Sequence, residues 1–180
     1  LGGGASELSI VTEELSRICG GIAICYAASG LGSMPLLLHA NEQQKKKYLP
    51  QIASGEKLAA FAITEAEAGS DSANIKTKAV LKGNRYILNG TKQFITSGSE
   101  ADIYVVFVTT NPGKGIRGLS AVIVEKGAAG FSFGKKEKKL GIRASITTEL
   151  VFDDCEIPKE NLIGGEGRGF RIAMDTFDHS

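Results

Sequence analysis

Tryptophan is absent from the 180 residues, aromatic residues make up only 7%, and histidine occurs twice, at His39 and His179. So few flat side chains argue against a base-stacking platform for single-stranded nucleic acid. An excess of either charge is missing too. With 21 basic and 20 acidic residues the formal net charge is +1, which leaves no electrostatic footprint for nucleic acid or anionic lipid. Cysteine is scarce and odd in number: Cys19, Cys25 and Cys155 have no metal-like spacing and suit free thiols in a reducing compartment. Neither histidine is grouped with cysteines or carboxylates, so no metal site is expected. No GxSxG nucleophile elbow and no GK[ST] phosphate loop occurs. The start lacks a basic region followed by an apolar core, so no signal peptide is expected. Both ends read as cuts in a longer protein.

Residues 18–40 carry no Asp, Glu, Lys or Arg and are long enough to cross a bilayer. Four glycines, two serines, a proline and a histidine in the same stretch make insertion poor. The expectation is a buried core segment, not a membrane span, divided by Gly30, Gly32 and Pro35 into two shorter helices. Upstream, Leu8, Val11, Leu15, Ile18, Ile22 and Cys25 recur at spacings of three and four, the mark of one helical face, with Ser6 as N-cap. A short buried helix is expected from Ser33 over Met34 to Ala40, and Asn41 is expected to cap another that ends by Pro50.

After Gly55 the period becomes that of strands. "LAAFAIT", "TKAVLKG", "RYILNGTKQFIT", "ADIYVVFVTT", "GLSAVIVEK" and "TTELVFDDCEI" are β-rich runs, and Gly83-Asn84 marks a two-residue hairpin turn. "GGEGRGF" (164–170) fails the dinucleotide pattern, since Phe170 stands where a third glycine belongs; a flexible connector into a last helix is expected. Helices, then strands without intervening helices, then a helix again make this an α+β chain whose middle is an antiparallel barrel or sandwich. The expected divisions are 1–55, a helical unit; 56–163, a β-domain; and 164–180, the connector and the start of further helices.

Few side chains invite a chemical role. The basic clusters "QQKKKY" (43–48) and "GKKEKKLG" (134–141) read as solvated faces or as contacts for a phosphate or an acidic partner. Glu65 and Glu67 share a face if extended, and both are expected to be solvated. Thr64 and Thr96 each end an aromatic-Ile-Thr strand terminus. Two readings stand for them: ordinary strand ends, or an apolar, aromatic wall with hydroxyls and free amides suited to a flat heteroaromatic ligand.

These residues resemble a family. "AITEAEAGSD" is similar to the "TEPxAGSD" signature of acyl-CoA dehydrogenases, and "KQFITSG" to their "K-(W/F)-I-T-N-G" segment. "GSMPLLLHANEQQKKKYLPQIASGE", "GKKEKKLGIRASITTELVFDDCEIPKENLIG" and "GEGRGFRIAMDTFD" follow in the family's order. The resemblance covers nearly the whole chain and is of a short- or medium-chain bacterial type. It implies FAD-dependent oxidation of a fatty acyl-CoA to the trans-2-enoyl-CoA, in which a glutamate takes the α-proton and the β-hydride passes to flavin N5. That glutamate belongs to a C-terminal helical domain outside these residues, so no catalytic residue is assigned here and the fragment alone is expected to be inactive.

By position, the resemblance implies that Phe61, Ala62, Ile63 and Thr64 line the flavin, with Thr64 at its pyrimidine edge. Phe94, Ile95 and Thr96 cover another side. Ser70 would touch both the flavin site and the CoA moiety, and Asp178, His179 and Ser180 would approach the adenosine end. Ala66 replaces the signature proline, Asn74 a small residue, and Phe94 the usual tryptophan. Further implications are an electron-transferring flavoprotein as partner, a homotetramer at full length, and the bacterial cytoplasm, or the mitochondrial matrix for a eukaryotic source. An acyl-CoA oxidase and a non-catalytic binding module on the same fold are the alternatives.

Overall fold

The computed structural model describes residues 4–180. Helix α1 (Ala5–Ile18) starts one residue before the expected cap: Gly4 is the N-cap, and its amide donates to Glu7 Oε2 at 2.7 Å. Ser6 therefore lies inside the first turn. The long apolar stripe does not run on one helix, because Cys19 is extended (φ −157°) and separates α1 from α2 (Gly20–His39). Beyond that break the stripe loses its direction: Ile18 is 87% exposed and Ile22 54%.

Helix α2 is continuous through Gly30, Gly32 and Pro35, where two helices were expected. The glycines serve contact, not flexibility. A Cβ on Gly32 would lie 2.8 Å from the backbone of Ala59 and Ala60, so the helix can lie directly on the strand those residues begin. Among the described residues α2 is the one helix long and apolar enough to cross a membrane by length and composition. One face of it is buried, through Gly21, Ala23, Gly32, Pro35 and Leu36, while Ile22, Ile24, Tyr26 and Leu37 are exposed.

Helix α3 (Glu42–Ala53) has the expected cap. Asn41 accepts from the Gln44 amide at 2.8 Å, and Gln44 returns the bond to the Asn41 amide at 3.0 Å, the reciprocal pattern of a capping box. The helix passes through Pro50 instead of stopping there. Pro50 and Lys46 are both exposed, so the carbonyl that loses its helical partner faces water.

Eight strands follow: β1 (Ala59–Ala62), β2 (Lys78–Lys82), β3 (Arg85–Thr96), β4 (Ile103–Thr109), β5 (Leu119–Glu125), β6 (Phe131–Lys136), β7 (Thr147–Pro158) and β8 (Leu162–Ile163). Helix α4 (Gly169–Asp178) closes the chain. Gly83-Asn84 makes the predicted hairpin, with Gly83 at φ 61°. Strands β6 and β8 escaped the pattern reading, β6 because it is an exposed edge rich in Gly and Lys. The pairing order is β6-β7-β3-β2-β4-β5-β8, mostly antiparallel, with β1 added parallel to β4.

Strands β4 and β5 are buried on both faces. Tyr104, Val106, Val108, Val122 and Val124 meet Leu88, Leu150 and Phe152 in one core. Ile103, Val105, Phe107, Ala121 and Ile123 meet Leu36, Tyr48, Ile172 and Ala173 from the helices in another. That explains why "ADIYVVFVTT" is a continuous apolar run where β3 and β7 alternate. The fold is α+β, in three layers: helices, the β1-β4-β5 layer, and the β3-β7-β6 layer.

The glycine-rich segment before α4 is packed, which corrects the expectation of a flexible connector. Tyr86 Oη donates to Glu166 Oε1 at 2.5 Å, the Gly167 amide donates to Ser120 Oγ at 3.0 Å, and a Cβ on Gly169 would meet the Ser120 backbone at 2.6 Å. Its glycines permit close approach to β5.

Candidate functional site

Strand β1 leaves the sheet between two cores. Phe61 faces the helical side, with its ring 4.9 Å from that of Phe107 and 5.6 Å from that of Phe177 on α4. The next residue, Ala62, points the other way and is fully buried in the β core. Its side chain is therefore not part of any ligand wall, as the period of two requires. After Ala62 the chain bends toward β3, and the Gln93 amide donates to the Thr64 carbonyl at 2.8 Å.

On β3 the pairing with β7 shifts between Lys92↔Leu150 and Ile95↔Thr148, so two residues of β3 oppose one of β7. This is a β-bulge, which re-aims a side chain and bends its strand. Phe94 sits in it at φ 57°, a left-handed backbone rare for a bulky residue, and is 59% exposed. Its ring thus turns out of the sheet. Phe61, Ile63, Thr64, Phe94, Ile95 and Thr96 line one cleft of about 260 Å³, completed by Ala28 and Leu31 of α2 and by Phe177. Ile95 is 2% exposed, with its side chain in the core.

The cleft is apolar and aromatic, and none of its lining residues is ionisable. Among the described residues, the Thr64 amide and hydroxyl and the Thr96 hydroxyl have no hydrogen-bond partner in the protein. Such a site can hold a flat heteroaromatic ring and meet its polar edge; it cannot donate or abstract a proton at neutral pH. The two sequence segments read as strand ends thus converge.

Ser70 does not line this cleft and is exposed in the loop before a short 3-10 turn (Ser72–Asn74). Asp178, His179 and Ser180 are also exposed; they follow Phe177 at the end of α4, and the His179 ring lies 2.7 Å from the Asp175 carbonyl. Ala28, Leu31 and Phe177 also line the cleft but lie in no motif that marks them in the sequence.

Beneath the cleft lies a pair that corrects another expectation. Glu65 is not solvated: it is 9% exposed, and its Oε1 lies 2.7 Å from Nζ of Lys92, whose side chain is wholly buried. Lys92 also donates to the Ile63 carbonyl at 3.0 Å, while Glu65 accepts from the Lys76 and Thr77 amides at 2.6 and 3.0 Å. Burial pulls the Lys92 ammonium down to about 8, against the opposing pull of Glu65. Burial alone would raise the Glu65 carboxyl, but the Lys92 charge and the hydrogen bonds outweigh it and hold it below its ordinary value. Both groups are charged at neutral pH. Glu67 is exposed, as expected, and pairs with Lys76. Lys92 carried a readable signal: along "RYILNGTK" the inward positions are Tyr86, Leu88 and then Lys92, a lysine in a core register.

The basic cluster after β6 borders a separate surface hollow of about 370 Å³ lined by Lys136, Lys138, Lys139 and Arg143, among others. One member is structural: Lys139 Nζ donates to the Ser145 carbonyl and to Thr147 Oγ1.

Comparison with known proteins agrees on one family. Residues 1–56 match the acyl-CoA dehydrogenase N-terminal domain and residues 60–155 the acyl-CoA dehydrogenase middle domain. A short-chain specific acyl-CoA dehydrogenase of Clostridium acetobutylicum is 51% identical over 178 residues, covering 98% of this chain and 47% of its own length. A chain in the structure of the electron transferring flavoprotein of Acidaminococcus fermentans, solved toward a mechanism of flavin-based electron bifurcation, superposes with a TM-score of 0.92 at 52% identity, over 93% of this chain and 44% of that one. The acyl-CoA dehydrogenase of Bacillus anthracis complexed with FAD superposes with a TM-score of 0.91 at 43% identity, over 99% of this chain and 31% of that one. The chain spans about half the length of the curated relatives it matches. With both domain models matched in order and the three-layer fold shared, the chain belongs to the acyl-CoA dehydrogenase family.

Proposed function

We propose that the full-length protein is an FAD-dependent dehydrogenase that oxidises a short-chain acyl-CoA to the trans-2-enoyl-CoA. The observation that carries this reading is the cleft: aromatic walls from Phe61, Phe94 and Phe177, with unpaired donors at Thr64 and Thr96. Those features fit an isoalloxazine ring, which needs apolar faces and a few directed hydrogen bonds at one edge. Bound FAD supplies the two-electron acceptor for the β-hydride. The chain's own residues bind, orient and exclude water. The Thr64 amide and hydroxyl donate to the polar edge of the ring, the Thr96 hydroxyl donates at a second point, and the phenyl rings keep the reacting face dry. Ser70 and the exposed run Asp178, His179 and Ser180 are assigned to the CoA moiety on the family pattern. No carboxylate lines the cleft, so the base that takes the α-proton comes from outside its lining residues.

The relative from Clostridium acetobutylicum supports a short acyl chain, and the Acidaminococcus fermentans structure supports an electron-transferring flavoprotein as the electron acceptor. A homotetramer and a cytoplasmic location complete the reading, as does the division at 55/56 and 163/164. Anaerobic titration tests it: purified full-length protein should be yellow, and butyryl-CoA should bleach it. A colourless protein indifferent to acyl-CoA refutes the reading. Prompt peroxide formation in air without another acceptor identifies an oxidase instead.

A further inference from the structure

Three chain segments meet at the Glu65–Lys92 pair. Ile63 to Glu65 leave β1, Lys76 and Thr77 enter β2, and Lys92 is the last regular residue of β3 before the bulge. Phe61, Ile63 and Thr64, just before Glu65 on the first segment, and Phe94, Ile95 and Thr96, just after Lys92 on the third, line the cleft. Burying an ion pair is a poor route to stability, since desolvation of both charges offsets most of their attraction, and apolar side chains of similar size often do as well. What apolar side chains cannot supply is direction. The ammonium must satisfy one carbonyl and one carboxylate at once, and the carboxylate must satisfy two further amides. Phe94 also needs such constraint, because a bulky residue at φ 57° persists only where its surroundings over-determine the backbone.

We propose that Lys92 and Glu65 are positioning residues: the buried pair fixes the exit of β1 against the bulge of β3, and so sets the placement of the Thr64 donors relative to the Phe94 ring that together receive the cofactor. This rests on the flavin reading of the cleft. It assigns the charges of the pair to conformational specificity, their mutual attraction adding little net stability once both are desolvated.

The decisive variant is Glu65→Leu with Lys92→Met in the full-length protein, which replaces the charges by apolar groups of similar size. Its apoprotein is relieved of two desolvated charges but leaves the Lys76 and Thr77 amides and the Ile63 carbonyl without these partners, so it should still fold, with a melting temperature below the wild-type value. Its dissociation constant for FAD should nevertheless rise about tenfold or more, equivalent to ~1.4 kcal/mol, and the visible absorption band of bound FAD should lose its fine structure as the ring samples several poses. A stable double variant with wild-type FAD affinity and spectrum overturns the proposal. If that variant does not fold, Glu65→Gln decides. It keeps one acceptor oxygen where the carboxylate offered two to the Lys76 and Thr77 amides, removes the charge, and should weaken FAD binding about three- to tenfold; unchanged affinity overturns the proposal. Wild-type protein that takes up no FAD refutes the proposed function, and this inference with it, a failure seen in the wild type and not in the variants.

Discussion

Thr64 and Phe94 separate two demands that a binding cleft makes on single residues. The Thr64 hydroxyl has no partner among the described residues, so Thr64→Val should leave the melting temperature of the apoprotein nearly unchanged. One hydrogen bond is worth about 0.5–1.5 kcal/mol net, so FAD affinity should fall roughly two- to tenfold, measurable by fluorescence titration. Phe94 is exposed and strained, in contrast to Phe107, which is 1% exposed in the core. Relief of about 1–3 kcal/mol of backbone strain in Phe94→Gly opposes about 0.5–1 kcal/mol of glycine entropy. The apoprotein should therefore melt at or slightly above the wild-type temperature while binding FAD less well. Phe107→Ala should lose about 3–5 kcal/mol, as read by denaturant unfolding. Glu65 and Lys92 also define a pH dependence. The Glu65 carboxyl is held below its unfolded value, so its stabilisation is full above the ordinary carboxylate range and lost as pH falls through the folded value. Lys92 is lowered from 10.5 to about 8, so its charge opposes folding at neutral pH and that opposition fades as pH rises from 8 toward 10.5. Stability of the wild type minus that of the doubly apolar variant should fall in acid and rise in that alkaline window; a flat difference across both windows refutes the assignment.

Among the elements, α2 and β3 decide where the cleft can be. Helix α2 lies on β1 because Gly32 has no Cβ to hold it off, and Ser29 Oγ accepts from the Ala59 amide at 3.1 Å beside that contact. Gly32→Ala puts a methyl 2.8 Å from backbone atoms that cannot swing aside. It should destabilise the protein by about 1–3 kcal/mol and displace the wall formed by Ala28 and Leu31. Thermal unfolding and FAD titration of the same variant check both effects. A sequence reader sees glycines and a proline in α2 and expects breaks, since isolated propensity favours them. Packing overrides that preference: Pro35 is buried against the core, and Gly21 and Gly32 are where the helix closely touches its neighbours. In β3 the run "RYILNGTKQFIT" is legible as a strand to its last residue. The bulge is not, because it depends on which residues of β7 lie opposite.

At the scale of the molecule, the segment from Gly164 to Gly169 ties the β layers to α4, and α4 supplies Phe177 to the cleft. Tyr86 anchors that tie. Burial, and then the Glu166 carboxylate, push its phenol well above the ordinary tyrosine value, so it stays a donor throughout the physiological range. Tyr86→Phe removes this donor, but Glu166 is exposed and water replaces it, so the cost should be about 0.5–1.5 kcal/mol, the net worth of one hydrogen bond. Amide exchange in α4 should accelerate more than exchange in β4, which lies at the centre of both cores.

By itself the sequence determined the α+β order of elements, the Asn41 cap, the hairpin at Gly83-Asn84, most of the strands, and the family, because periodicity, turn chemistry and short motifs are local properties of a chain. It also brought Thr64 and Thr96 to notice, since each ends an aromatic strand terminus. Only the tertiary structure decided that those two ends share one cleft with Ala28, Leu31 and Phe177, that Ala62 faces away from it, and that Glu65 is buried on Lys92. Each of these depends on register between strands distant in sequence. A carboxylate that looks solvated in its own loop becomes a buried partner once β3 carries a lysine into the core beneath it.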